Sequence, residues 1–122
     1  MCGGSNGECE TMKTVDVLGT TYTIEYKEIK EDAFLEDVDG YCDHTAKVIV
    51  IKSENNNNLK DFARLQRKNL RHELIHAFLG ESGLQANFQH ANRFGHDETM
   101  VDWFAIQFPK LQKIFRELGI ED

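Results

Sequence analysis

Long hydrophobic runs are missing from this chain. None approaches the ~18 residues of a membrane span, and the first thirty residues lack the apolar core of a secretory signal. Cysteine is scarce and odd in number, at Cys2, Cys9 and Cys42. The spacings miss the paired C-x-x-C of zinc ribbons, and a Cys2–Cys9 bridge would have no purpose in a reducing compartment. Basic residues are the minority. Fourteen Lys plus Arg against 21 Asp plus Glu leave a net charge of -7, which argues against nucleic acid or anionic membrane as a general partner. These absences together predict a cytoplasmic protein.

What is present fits one domain of 122 residues, 40% hydrophobic and 29% charged, and excludes a disordered chain. Residues 1–12 read as a flexible leader and 13–122 as the single domain. Alternation from Thr14 to Tyr26 around Leu18-Gly19-Thr20-Thr21 predicts a β-hairpin. A short helix is expected over Ile29–Val38, a turn at Asp39-Gly40, and the strongest strand at Ala46–Lys52. Residues 53–58 (SENNNN) form an exposed loop. A long helix is predicted over Leu59–Leu79, stopped by Gly80, with Lys60, Arg64, Arg67, Lys68 and Arg71 on a solvated face. Residues 80–96 read as a long irregular segment. A helix over Asp97–Phe108 is then broken by Pro109, and a third covers Lys110–Leu118.

The buried end of the long helix reads His72-Glu73-Leu74-Ile75-His76, an H-E-x-x-H motif. At ~100° per residue the two imidazoles point within about 40° of each other, one turn apart, and two such groups bind one zinc at ~2.0–2.1 Å each. Glu73 is rotated by about 100° and reaches the open coordination position, where it serves as general base towards a zinc-activated water. On the next helix Glu98 and Asp102 share a face with Val101, Ala105 and Ile106. Acids in an apolar stripe are costly unless met by a cation or a donor. Glu98 is therefore assigned as third zinc ligand and Asp102 as acceptor of an imidazole N–H. Three roles stay open for His96: alternative third ligand, hydrogen-bond donor to the transition state, or surface residue. His90 and His44 read as solvated loop histidines, and Tyr22 and Tyr41 as phenols that sequence cannot place. Leu79 and Ser82 stand where a metzincin needs Gly and His, which excludes that class.

The pair His72-Glu73-x-x-His76 and Glu98-x-x-x-Asp102, 22 residues further on, resembles the gluzincin arrangement. The small size, with strands ahead of the motif helix, resembles minimal gluzincins and the ImmA/IrrE-type metallopeptidases of bacteria and their phages. The stretches 70–79 and 98–105 are similar to small phage-encoded proteins with a zincin core. The resemblance covers about residues 46–108. It implies Glu73 as general base, Glu98 as ligand, and an edge strand that pairs with extended substrate, here Ala46–Lys52. The expectation is a chain without the separate C-terminal domain that furnishes further His or Tyr groups in larger members.

The expected fold is thus α+β: a zincin-like core with a small, mostly antiparallel sheet packed on the H-E-x-x-H helix, plus two C-terminal helices. The expected activity is zinc-dependent peptide hydrolysis by a monomer, with a peptide or protein substrate along strand 46–52. A catalytically weak zinc-binding regulatory module of phage origin is the alternative.

Overall fold

Alternating side chains at the start of the domain make a hairpin whose turn is two residues long. In the computed structural model of the chain, which describes residues 12–83 and 98–122, β1 (Met12–Val17) pairs antiparallel with β2 (Thr20–Lys27). Leu18 (φ 52°) and Gly19 (φ 96°) both take positive φ, the geometry a two-residue hairpin turn requires. The leader up to Thr11, with Cys2 and Cys9, lies outside the described residues, as do His90 and His96. Strand β1 already begins at Met12.

After β2 the chain makes a single 3₁₀ turn at Ala33–Glu36, capped by Asp32, in place of the expected helix over 29–38. The acids Glu31, Glu36 and Asp37 leave Leu35 as the one buried residue there, too little to hold a longer helix against the sheet. Strand β3 (Gly40–Asp43) then pairs antiparallel with β4 (Val48–Lys52), and β4 pairs parallel with β2. The sheet is mixed, with the order β1-β2-β4-β3.

This order corrects one expectation. Strand 46–52 is interior, with both hydrogen-bonding edges used by β2 and β3, so no substrate strand can add to it. The sheet edges among the described residues are β1 and β3. The reason lies in the side chains of β4. Ile49 and Ile51 join the main core on one face, while Val50 is buried on the other. A strand apolar on both faces belongs inside a sheet.

Helix α1 (Phe62–Glu81) packs on β3 and β4 through Leu70, Leu74, Ala77 and Phe78. Its start is set by Asp61, whose carboxylate accepts from the Arg64 N–H, rather than at Leu59. Its end also differs from expectation: Gly80 lies inside the last turn, Ser82 caps the helix, and Gly83 takes the left-handed conformation (φ 84°).

Helix α2 (Glu98–Glu117) is one continuous helix with Pro109 inside it, not two. Trp103, Leu111 and Ile114 fall within about 80° on a helical wheel. All three enter the same core, which holds the two halves in line across the missing proline N–H. The Trp103 indole N–H donates to Ser82 Oγ (3.1 Å) and ties α2 to the cap of α1. Two helices and a four-stranded mixed sheet make the fold α+β. No helix among the described residues is long and apolar enough to cross a membrane.

Candidate metal centre

Helix α1 presents two faces at the motif. Leu74, Ala77 and Phe78 turn into the core, whereas His72 and His76 stand one turn apart on the exposed side. Their Nε2 atoms are 3.3 Å apart and the ring centroids 4.9 Å. Two nitrogens each ~2.05 Å from one ion at a tetrahedral angle are about 3.3 Å apart, so the spacing of the pair matches that of two ligands on one zinc. Burial lowers the pKa of His76, helped by the charges of His72 and His44, which favours the neutral imidazole that a metal ligand must be.

Glu73, between them in sequence, is only 8% exposed. Burial raises its pKa, with His72 opposing the rise. A carboxylate with raised proton affinity beside a candidate metal position is suited to accept and return a proton.

The three residues border a groove of about 370 Å³ between α1 and β3, with Phe34 and Val38 on its far side. A larger concavity, about 510 Å³, lies elsewhere, between the β1–β2 turn and α2, and contains none of the motif residues.

His44 is the group that sequence reading missed. It lines the same groove, although it read as a solvated loop histidine. It follows β3, and its ring rests directly on Gly80 of α1. A Cβ at residue 80 would lie 2.5 Å from His44 Nδ1 and 2.6 Å from Cε1. Gly80 is therefore glycine because an imidazole occupies the space a side chain would need. Cys42 Sγ is 3.9 Å from Nδ1. Burial, then Glu73, Asp43 and Glu81, push the Cys42 thiol up to about 12, so without a metal it stays protonated at neutral pH. The only sequence clue was the Asp39-Gly40 turn, which begins the strand that carries His44 to the helix.

Both phenols are already engaged. Tyr22 is fully buried and donates to Glu81 Oε2 (2.7 Å), while Tyr41 donates to Asp32 and packs edge-on against Phe34. Burial raises both pKa values, and the neighbouring carboxylates add to the rise.

Glu98 is the first residue of α2. Asp102 is exposed, as are Ala105 and Ile106, while Trp103, Leu111 and Ile114 of α2 are buried. Neither motif imidazole hydrogen-bonds to Asp102. Among the described residues no three His, Cys, Asp or Glu side chains converge as a complete metal-binding set. Comparison of the chain with family models, with curated proteins and with solved structures finds no match.

Proposed function

We propose that the chain is a zinc-dependent metallopeptidase with a zincin-like core, in which His72, His76 and Glu98 hold the ion and Glu73 is the general base. The observation that carries this reading is the pair of Nε2 atoms 3.3 Å apart, with a buried carboxylate next to them in a groove along a sheet edge. Zinc, when bound, supplies Lewis acidity and brings the pKa of water in the groove towards ~7. Glu73 accepts one proton of the attacking water as its oxygen bonds to the amide carbon. The C–N bond then breaks and Glu73 passes that proton to the leaving nitrogen, giving one carboxylic acid and one amine.

His44, fixed against Gly80 on its Nδ1–Cε1 edge, faces developing charge on the carbonyl oxygen with its other ring nitrogen. Substrate is seated by strand addition to β3, Gly40–Asp43, the sheet edge that borders the groove.

The test compares zinc-loaded parent and Glu73→Gln on a fluorogenic peptide library. Parent activity falling ~10²–10⁴-fold in the variant, with zinc content unchanged, supports the reading. Equal rates in the two proteins overturn it, and absence of activity in the zinc-loaded parent leaves a zinc-binding module.

A further inference from the structure

The groove does not end at the motif. It continues along α1 for another turn, a space of about 340 Å³ that shares His72 and Glu73 and adds Lys68 and Asn69 on the helix and Asp39 opposite. Asn69 is only 7% exposed. Its side-chain amide has no hydrogen-bond partner among the described residues, and Asn69 lines this space. Water answers an amide in that position while the groove is empty, and the C=O and N–H of a peptide group can take the place of that water. Lys68 is exposed and has no carboxylate partner among the described residues. Asp39 pairs instead with Lys52, at 3.7 Å.

Direction follows from the strand. Helix α1 and β3 run past the groove the same way: Lys68 and Asn69 lie by Gly40, His76 by Cys42 and His44. A peptide pairing antiparallel to β3, the commoner arrangement, therefore sends its C-terminal half towards Lys68. From the middle of the motif to Lys68 is six residues of helix, about 9 Å. An extended peptide covers that in two to three residues at ~3.3 Å each.

We propose that Lys68 and Asn69 form a subsite that takes a peptide bearing a carboxylate two or three residues to the C-terminal side of the bond to be cut. Asn69 holds the peptide backbone and Lys68 pairs with the carboxylate, which comes either from an acidic side chain or from the chain end. The proposal rests on the peptidase reading.

The test uses mercaptoacetyl-capped peptide amides, whose thiol sits on zinc and fixes the register. Glu or Gln is placed in turn at each of four positions, and binding to the zinc-loaded chain is measured by calorimetry. Glu should bind about three- to fivefold tighter than Gln at the second or third position, as an exposed ion pair allows, and the preference should shrink at high salt. Lys68→Gln should abolish the preference, Lys68→Glu should reverse it, and Asn69→Ala should weaken every probe. A dipeptide or tripeptide probe ending in a free acid should show the same gain over its amide if a chain end is the source, and no gain if only side chains are. Probes that bind with no Glu preference at any position, or a preference that survives Lys68→Gln, overturn the subsite alone. Thiol probes that fail to bind the zinc-loaded chain overturn the peptidase reading and the subsite with it.

Discussion

Glu81, just past the motif, fastens α1 to the sheet, and its replacement by Gln should be costly in a pH-dependent way. Its carboxylate accepts from Thr20 Oγ1 (2.9 Å), Tyr22 Oη (2.7 Å) and Lys47 Nζ (2.8 Å). These bonds, Lys47 first, hold its pKa at about 2, against 4.5 for a free carboxyl. At ~1.36 kcal/mol per unit the ceiling is about 3.4 kcal/mol. Lys47 is 41% exposed, so solvent screens part of that and about 2 kcal/mol remains. For a chain of this length the loss corresponds to roughly 8 °C in melting temperature. A depressed folded-state pKa means the contribution is fully present above pH 4.5 and is lost as pH falls towards 2. Thermal melts of parent and Glu81→Gln should therefore differ by about 8 °C at pH 7 and converge between pH 4.5 and 2. A constant offset down to pH 2, or no offset at pH 7, would refute the clamp.

Three further outcomes follow from the geometry. Gly80→Ala should leave stability within about 1 kcal/mol, since helix propensity gains what His44 loses in moving aside. It should still shift the His44 ring resonances by NMR; unshifted resonances would show that His44 does not rest on residue 80. Glu98→Gln should weaken zinc severely, whereas Asp102→Asn, an exposed site, should bind zinc like the parent by equilibrium titration. A loss in His96→Ala with Glu98→Gln unaffected would move the third ligand to His96. Cys42, with its thiol pushed up to about 12, should react with iodoacetamide at pH 8 far more slowly than a free cysteine peptide; equal rates would show an ionised thiol.

Parts of this structure are legible in the sequence because they are local. The Leu18-Gly19 turn, the period of α1 and the H-E-x-x-H geometry each follow from a few neighbouring residues. The sheet order is not local. It depends on β3 folding outside β4, and the signal for it, a β4 apolar at Val48, Ile49, Val50 and Ile51, read only as a strong strand. Gly80 and Pro109 misled for the same reason. Each carries a real stop tendency, and tertiary contacts override it: the bonds of Glu81 to Thr20, Tyr22 and Lys47 just past Gly80, and the shared core of Trp103, Leu111 and Ile114 across Pro109. Helical spacing gives the angular position of Asp102 on α2 but not which face of that helix is buried.

The most direct test of the account is zinc binding by the full chain, followed by calorimetry and by melting. The parent should bind about one zinc per chain, and at ~100 times its dissociation constant zinc should stabilise the fold by about 2.7 kcal/mol. His72→Ala should abolish both, because one imidazole alone cannot replace the pair whose Nε2 atoms lie 3.3 Å apart. A parent that melts at the same temperature with and without zinc, or a His72→Ala variant that binds zinc as the parent does, would contradict it.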